Sequence, residues 1–353
     1  MAEQGLDAMI VAAPEDLSHA NLRYLSGFTG SSGYLVVRGD GATFLTDSRY
    51  EEQGAEEVQG CEVRLHGSPY VEALAAACRK GGRRLGFEAG KVPVKMYEEW
   101  RKELPEHEFV PADGIVEKLR IVKDSQEAAI MHEVARLAGE ALEDVLASFC
   151  PGTTERKLAQ RLSHAMQERG LDGDGFDMIV GSGPRGSLPH AKPTGKPIEP
   201  GELVTIDYGG ILSGYRSDET FTFGVGAVEP KLREIFELVR ASQAAGIAAA
   251  RPGVRASEVD RASREVVMAS GYKEWCFAYG VGHGVGLDIH EEPFAARPGT
   301  GRPDPVLVPG MTLTVEPGIY IPGVAGCRLE DTLLITEDGY ELLTVTPKAY
   351  RSF

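Results

Sequence analysis

The chain has 353 residues, of which 42% are hydrophobic and 25% charged, and this composition predicts a globular protein of two domains. Its formal net charge of −16 at pH 7 disfavours nucleic acid and anionic membranes as partners, because both are themselves negative. Five scattered cysteines without a CxxC pair argue against a disulfide framework and against a structural zinc cluster. No run of about 20 apolar residues and no basic secretion signal is present, so we expect a soluble cytoplasmic protein.

The first part of the chain, residues 1–122, predicts a small α/β domain. Residues 34–47 indicate two strands around a Gly-Asp-Gly turn, because the alternation of apolar side chains breaks at the glycines. Residues 71–80 and 92–104 place apolar side chains at helical spacing. We assign the remaining residues, 123–353, to a second and larger domain.

The second domain predicts long helices that alternate with groups of strands. Asp124 and Glu127 form a capping pair at the start of a helix that ends near Phe149, and Thr153 or Thr154 caps the next helix. The order of helix pair and strands then repeats, which indicates two similar halves, although they share no visible sequence identity. The predicted regions are strands over 176–183 and 203–226, helices over 230–253 and 257–271, and strands over 310–321 and 327–344.

Four acidic residues of the second domain, Asp207, Asp218, Glu316 and Glu330, lie in segments that otherwise predict apolar strands. A buried carboxylate is costly unless it is paired. Asp207 and Asp218 lie on a predicted hairpin, where they can face each other, and Arg328 is an obvious partner for Glu330. A single hairpin acid is more often solvated or caps a turn. Four acids on separate strands indicate bound divalent cations instead, because like charges gathered in a core repel.

His283 completes a set of five ligands for hard cations. Its neighbours Gly282 and Gly284 allow the backbone to approach closely and to take unusual dihedral angles. Four carboxylates and one imidazole favour Mn²⁺, with Co²⁺, Fe²⁺ or Zn²⁺ as alternatives, over a thiolate zinc site. Five ligands suit two ions about 3.5–4 Å apart that share bridging carboxylates and a bridging hydroxide. The pattern therefore predicts a dinuclear hydrolase site.

The ordered phrases TIDYGG, SDET, GHGVGLDIHEEP, TVEPGIY and RLEDT closely resemble the metallopeptidases of the pita-bread fold, which include aminopeptidase P, prolidase and methionine aminopeptidase. The resemblance covers the whole second half of the chain. It implies an α+β protein, with a pita-bread catalytic domain of pseudo-twofold halves over residues 123–353. For the metal centre it implies that Asp207 chelates one ion. His283 and Glu316 then hold the other ion, and Asp218 and Glu330 bridge the two.

The same resemblance implies substrate roles for further residues. His290 resembles a histidine that hydrogen-bonds the scissile carbonyl or the oxyanion, a contribution of about 3–4 kcal/mol. His190, which by itself would be a solvated loop residue, resembles an active-site histidine that contacts the substrate. Glu316 is expected to carry a proton from the attacking water to the leaving nitrogen. Arg328 resembles an arginine that pairs with active-site carboxylates or substrate, and a plain ion pair is the alternative. Tyr279 stands where many Xaa-Pro enzymes have another histidine, and it either binds substrate or only packs.

Residues 21–53 resemble the creatinase-like N-terminal domain of aminopeptidase P and prolidase, both of which cut before proline. Methionine aminopeptidases generally lack this domain, and creatinase itself lacks the metal carboxylates. The phrases FTGSSG and DSRY favour an aminopeptidase P-like enzyme. We therefore expect hydrolysis of the Xaa-Pro bond at peptide N-termini, with a bridging hydroxide as nucleophile.

Two alternatives stay open. One is an Xaa-Pro dipeptidase (prolidase), and the more distant one is a module of the same fold that binds peptide or protein without cutting it. The expected substrates are proline-containing peptides in either enzymatic case. Because the resembled family commonly dimerises, we expect a homodimer, in which Arg49 and Tyr50 approach the partner's site or, as is favoured, serve only the fold.

Overall fold

The computed structural model describes residues 1–15, 19–67, 69–299 and 301–353. The chain divides into two units, Met1–Arg120 and Ile121–Phe353. None of the described helices is both long and apolar enough to span a membrane.

The smaller unit is built on a six-stranded mixed sheet in the order β4-β3-β2-β1-β5-β6. The predicted hairpin forms within this sheet, where β2 and β3 pair antiparallel. Every residue of β1 is buried, as its uniformly apolar sequence requires. The strands are β1 (Ala8–Ala13), β2 (Gly33–Arg38), β3 (Gly41–Thr46), β4 (Glu62–Leu65), β5 (Arg84–Phe87) and β6 (Glu108–Pro111). The helices are α1 (Ala20–Ser26), α2 (Glu51–Glu57), α3 (Tyr70–Cys78), α4 (Val94–Glu103) and α5 (Glu117–Arg120).

The larger unit contains two packed helix pairs, α6 with α7 and α8 with α9. The predicted capping box is present: the Asp124 side chain accepts from the backbone N–H of Glu127, and the Glu127 side chain accepts from that of Asp124. Thr154 rather than Thr153 caps α7, by accepting from the Lys157 N–H. The helices are α6 (Ser125–Ala147), α7 (Glu155–Glu168), α8 (Pro230–Ala249) and α9 (Ala256–Met268).

Groups of antiparallel strands follow each helix pair, which matches the predicted two halves. The sheets that matter for the site are β12-β9-β8, β15-β18-β19, β16-β17 and β13-β14, and a further sheet is β11-β10-β7. The strands are β7 (Gly173–Asp174), β8 (Ile179–Ser182), β9 (Leu203–Tyr208), β10 (Gly210–Leu212), β11 (Tyr215–Arg216), β12 (Glu219–Gly224), β13 (Gly282–Gly284), β14 (Glu291–Ala295), β15 (Thr312–Val315), β16 (Gly318–Ile321), β17 (Ala325–Arg328), β18 (Asp331–Ile335) and β19 (Tyr340–Leu342).

The predicted hairpin over residues 203–226 is divided between two sheets. Its base is the direct pairing of β9 with β12, and its tip is β10 with β11, which belong to the sheet of β7. The chain reverses at Ser213 and Gly214, both of which have positive φ, 50° and 82°. At Gly209 the strands approach so closely that a Cβ would lie 1.9 Å from the carbonyl oxygen of Ser217. A glycine is therefore required where the ladder changes sheet.

The alternating sequence of β12 separates the core from the site. Phe221 and Phe223 are fully buried in the core, where each contributes roughly 2–3 kcal/mol. Thr220 and Thr222 lie on the opposite face, because successive strand residues point to opposite sides. Their hydroxyls donate to Glu330 and to the carbonyl of Arg328, both at 2.7 Å. The strand is thus fixed by its apolar face while its polar face orients the site.

Candidate active site

A cavity of about 750 Å³ opens in the larger unit, and its lining includes all nine residues that the sequence predicts for the site. Carboxylates, three histidines, a tyrosine and two arginines contribute polar groups to its lining. The predicted residues in the lining are His190, Asp207, Asp218, Tyr279, His283, His290, Glu316, Arg328 and Glu330. These predicted residues are up to 140 positions apart in the chain, from His190 to Glu330.

The acids meet where strands β12 and β18 begin. Asp207 on β9 lies opposite Thr220, so it does not face Asp218 directly as the hairpin predicted. Asp218 precedes Thr220 by two residues, which places both side chains on one face and makes Asp218 a diagonal neighbour of Asp207. The Glu330 N–H donates to the Thr220 carbonyl at 3.1 Å, and Thr332 Oγ1 donates to the Asp218 carbonyl at 2.7 Å. These bonds join the two strand ends that carry Asp218 and Glu330.

His283 reaches the acids from β13. A Cβ on Gly282 would lie 1.8 Å from the Thr314 carbonyl oxygen, and one on Gly284 would lie 2.4 Å from that of Glu292. Neither glycine has a positive φ, so their role is close approach and the predicted unusual dihedral angles are wrong. His283 Nδ1 lies 3.0 Å from the carbonyl oxygen of Gly284. Donation from Nδ1 to that carbonyl leaves Nε2 free to bind a metal ion.

Distances and electrostatics fit a cation site. His283 Nε2 lies 3.6 Å from Asp218 Oδ2 and 3.4 Å from Glu316 Oε1. One potential ligand atom each from Asp218, His283 and Glu330 lie within 4.8 Å of one another. Burial raises the pKa of Asp218 well above its usual value, and repulsion by Glu330 adds to this. Burial likewise raises the pKa of Glu330, reinforced by Glu316.

Two oxygens in this cluster, Asp207 Oδ1 and Glu330 Oε1, are buried without a hydrogen-bond partner in the described part of the chain. A buried, unpartnered carboxylate oxygen is unfavourable, and a divalent cation is the partner that would satisfy both. The donor set of carboxylates and one imidazole therefore fits the predicted metal ions. Which residue holds which ion stays a prediction.

Arg328 pairs with Asp207, and the expected pairing with Glu330 is wrong. The guanidinium is 3% exposed and also donates to the carbonyl of Pro189 at 3.0 Å and to Tyr320 Oη at 2.8 Å. Arg328 is the last residue of β17 and Glu330 immediately precedes β18, and these two strands belong to different sheets. The guanidinium is thus held by protein groups and orients Asp207.

Tyr279 lines the cavity and is tied to the same network. Its hydroxyl lies 2.7 Å from that of Tyr320, which in turn accepts from Arg328. Burial, the largest influence, raises the pKa of both tyrosines, so both hydroxyls are protonated at neutral pH. The ring also packs near Phe277, with centroids 5.9 Å apart. Tyr279 therefore both packs and presents a surface to the cavity.

His290 and His190 are exposed residues at the cavity. The ring of His290 stands edge-on to that of His283, with centroids 4.3 Å apart. Desolvation and the proximity of His283 lower the pKa of His290 to about 4. Its neutral ring then has one N–H to donate at neutral pH. His190 lies on the loop that follows β8, without a protein partner among the described hydrogen bonds and ion pairs.

A single buried carboxylate, Glu155, anchors both ends of the loop that carries His190. It accepts from the N–H and hydroxyl of Ser182 at 3.0 and 2.9 Å, before the loop. It accepts from the N–H and hydroxyl of Thr194 at 3.1 and 2.7 Å, after the loop, and from Arg185 Nε at 3.0 Å within it. Glu155 is fully buried, so these contacts are sheltered from water.

Sequence reasoning missed several lining residues, chiefly Arg302. Its guanidinium carbon lies 3.7 Å from the ring centroid of Phe294, a cation–π contact. Among the described residues, no carboxylate lies within ion-pair distance of it. Arg302 stands in a Gly- and Pro-rich loop, so neither periodicity nor a motif could have identified it. The other missed lining residues include Phe176, Asp177, Ile179 and Ile289.

Arg49 and Tyr50 lie in the smaller unit and have partners there. Arg49 pairs with Asp47 at 2.9 Å, and the Tyr50 hydroxyl lies 2.6 Å from that of Ser31. Tyr50 also packs edge-on against Phe28, at 5.4 Å between centroids. These contacts agree with the favoured role of both residues in the fold.

Two family models match the chain: metallopeptidase family M24 over residues 129–337 and the creatinase/prolidase N-terminal domain over residues 1–122. An Xaa-Pro dipeptidase of Pyrococcus furiosus is 35% identical over 349 residues, which cover 99% of this chain and 96% of the relative. A solved Xaa-Pro dipeptidase from Bacillus anthracis has a TM-score of 0.93 at 37% identity, covering 100% of this chain and 96% of that one. An X-Pro aminopeptidase from Thermotoga maritima has a TM-score of 0.91 at 30% identity, covering 99% and 98%.

The matched M24 region contains all nine residues of the predicted site. The α+β architecture and the metallopeptidase class expected from the sequence are confirmed by these matches. The chain belongs to metallopeptidase family M24 and carries a creatinase/prolidase-type N-terminal domain.

Proposed function

We propose that this enzyme hydrolyses Xaa-Pro dipeptides, the prolidase alternative, in preference to the longer peptides that an aminopeptidase P-like enzyme cuts. The names of its relatives give partial support, because the Pyrococcus furiosus and Bacillus anthracis proteins are Xaa-Pro dipeptidases. The similar Thermotoga maritima protein is named an X-Pro aminopeptidase. The observation that carries the proposal is therefore a feature of this chain, the guanidinium of Arg302 in the cavity.

A dipeptide has its C-terminal carboxylate only one residue beyond the scissile bond. One extended residue spans roughly 3.5 Å, so that carboxylate stays within the cavity while the bond is at the acids. In a longer peptide the same position is a neutral amide. Arg302 lines the cavity and has no carboxylate partner among the described residues, so it suits the charged end of a dipeptide. The other arginine of the lining, Arg328, is already paired with Asp207.

The metal ions, with Mn²⁺ the first candidate, would supply the activation of water and of the scissile carbonyl. The side chains proposed to hold them are Asp207, Asp218, His283, Glu316 and Glu330.

Side chains of the protein then transfer the proton and stabilise the charge that develops during the reaction. Glu316 accepts a proton from the attacking water and delivers it to the nitrogen of the leaving proline. His290 donates its N–H where negative charge develops on the carbonyl oxygen. His190 contacts the substrate from the opposite loop, and Tyr279 forms part of the wall. Arg328 takes no part as a substrate ligand in this scheme, because its N–H groups are engaged by the protein.

The test compares one Xaa-Pro dipeptide, its C-terminal amide and an Xaa-Pro-Xaa tripeptide, each with the Mn²⁺-loaded protein. We expect kcat/KM for the dipeptide to exceed that for the amide by about 10- to 100-fold, the usual worth of a charge-assisted hydrogen bond. Arg302→Met is expected to raise KM for the dipeptide and to leave the amide unaffected. Arg297→Met is the matched control, since Arg297 donates to the Ala278 carbonyl and does not line the cavity.

Equal or faster cleavage of the tripeptide would favour the aminopeptidase P-like reading over the dipeptidase. Failure to cut any of the three substrates, with peptide binding retained, would favour the non-catalytic module. The expected homodimer is a separate proposal, supported by family resemblance alone, and light scattering should then give twice the 38.0 kDa mass of the chain.

A further inference from the structure

A second pair of acids lies directly behind Asp218 and Glu330. Glu219 opens β12 and Asp331 opens β18, so each follows one of the proposed bridging ligands in sequence. Successive strand residues point to opposite faces, and the second pair therefore points away from the cavity and towards the core. Glu219 is 1% exposed and Asp331 is 6% exposed. Buried acids thus occupy both faces of the same two strand ends.

One ammonium group, that of Lys348, joins the second pair. Its Nζ contacts Glu219 Oε1 and lies 3.1 Å from Asp331 Oδ1. The side chain is 7% exposed, so both ion pairs are shielded from solvent. Attraction by Glu219 and Asp331 outweighs burial, the largest influence, and raises the pKa of Lys348 above its usual value. Lys348 is therefore a charged cross-link between the starts of β12 and β18.

Neutral groups satisfy most of the remaining hydrogen-bonding capacity of the pair. Tyr208 donates to Glu219 Oε2 at 2.7 Å. Thr344 donates to Asp331 Oδ1 at 2.6 Å and Gln243 to Asp331 Oδ2 at 2.9 Å. A buried ion pair is tolerated only when its other hydrogen-bonding positions are filled in this way. The network is complete enough to hold both carboxylates in one position.

The Lys348 cross-link connects the same two strand ends that carry the mutually repelling acids Asp218 and Glu330. Asp218 and Glu330 are both buried and offer ligand atoms within 4.8 Å of each other, so their ionised forms repel each other when no cation lies between them. On the cavity side, neutral hydrogen bonds join the two ends, such as that from Thr332 to the Asp218 carbonyl. On the core side, Lys348 adds two buried ion pairs.

We propose that Lys348 is a positioning residue that sets the spacing of β12 and β18, and so holds Asp218 and Glu330 ready to share two cations. This inference rests on the proposed function, since it takes those two acids as the bridging ligands. Lys348 itself touches neither the cations nor the substrate. Its effect passes through Glu219 and Asp331, one peptide unit away from the ligands.

The experiment measures metal binding rather than turnover. Mn²⁺ titration calorimetry gives the affinity for each ion, and electron paramagnetic resonance reports whether two Mn²⁺ ions are spin-coupled through shared ligands. In Lys348→Met we expect the second ion to bind at least tenfold more weakly and the spin-coupled signal to be lost. Circular dichroism at the titration temperature confirms that the sample is folded.

Lys196→Met is the matched control. Lys196 also forms a lysine–carboxylate pair, with Glu202 at 2.7 Å, but neither residue adjoins a proposed metal ligand. We expect this variant to lose thermal stability while its Mn²⁺ affinities stay within twofold of wild type. A purely structural role for Lys348 would make the two variants alike, with lower melting temperatures and unchanged Mn²⁺ affinities.

Asp331→Asn provides a milder variant if Lys348→Met does not fold. It removes one ion pair but keeps a side chain that Thr344 and Gln243 can contact, and we expect a smaller loss of affinity in the same direction. Wild-type Mn²⁺ affinities and spin coupling in whichever of these variants folds would overturn the proposal. If the wild-type protein binds two coupled ions but cuts no peptide, the proposed function fails while the role of Lys348 is still decided by the Mn²⁺ data.

Discussion

His290→Ala should separate metal binding from catalysis. The ring of His290 stands beside that of His283 at the cavity, yet it is exposed and carries no short contact to the carboxylate cluster. Its removal therefore leaves the five proposed ligands in place. Because its pKa is lowered to about 4, the wild-type ring is neutral above pH 5 and offers a single N–H to the reacting carbonyl.

The size of the effect follows from that geometry. A preorganised donor to a developing oxyanion contributes about 2.7–4 kcal/mol, and a neutral donor open to solvent on one side belongs at the lower end. A loss of about 2.7 kcal/mol corresponds to a roughly 100-fold fall in kcat, at 1.36 kcal/mol per factor of ten. KM should change little, since the bond forms mainly in the transition state.

The assay is steady-state hydrolysis of an Xaa-Pro dipeptide by His290→Ala and by His290→Gln, which keeps a donor and should lose less. Elemental analysis of the same samples gives the metal content. His164→Ala on the exposed face of α7 serves as the surface control. Loss of either ion from His290→Ala, or an unchanged kcat with both ions bound, would refute the role assigned to His290.

Three further outcomes are expected. Gly282→Ala should weaken Mn²⁺ binding and lower the melting temperature, because its Cβ would lie 1.8 Å from the Thr314 carbonyl oxygen, whereas Gly195→Ala, with open space around it, should be neutral in both measurements. Glu155→Gln should cost about 2 kcal/mol in the free energy of unfolding in urea at pH 7. Burial would raise the pKa of Glu155, but hydrogen bonds from Thr194 and Ser182 lower it overall. The stability that the Glu155 carboxylate contributes is therefore fully present above its unfolded pKa of about 4.3 and is lost as the pH falls through its folded pKa. An equal cost of Glu155→Gln at pH 3 and pH 7 would contradict this reasoning. Mn²⁺ binding should release protons, seen as a dependence of the calorimetric enthalpy on buffer, because the pKa of Asp218 and of Glu330 is raised in the metal-free chain.

The sequence predicts the cluster of acids well because each acid interrupts an apolar strand. Asp207, Glu316 and Glu330 are conspicuous for that reason, and burial confirms that Asp207 and Glu330 lie inside the protein. The capping box at Asp124 is equally predictable, because both of its residues lie within one helical turn. Both patterns involve residues that are close together in sequence, so they can be recognised without knowledge of the tertiary structure.

The pairings could not be predicted in the same way. Arg328 was expected to pair with the acid two residues away, but its partner Asp207 is 121 positions distant. Lys348 and Glu219 are 129 positions apart, and nothing in the segment around Lys348 marks it as buried. Arg302 enters the cavity only because its loop folds beside Phe294. The packing of the sheets decides which arginine or lysine side chain pairs with which carboxylate, and the sequence pattern does not predict these pairs.

The placement of two of these cations, Arg328 and Lys348, helps to explain how one fold tolerates so many buried acids. Arg328 pairs with Asp207 in the cavity wall, and Lys348 pairs with both Glu219 and Asp331 on the core side. Neither of them pairs with Asp218 or Glu330, the two acids proposed to bridge the metal ions. A guanidinium or ammonium placed between those two acids would stabilise the metal-free protein and compete with the ions. The protein cations thus pair with acids next to Asp218 and Glu330 and leave these two proposed bridging acids without a cationic partner of their own, as a metal-binding role for them requires.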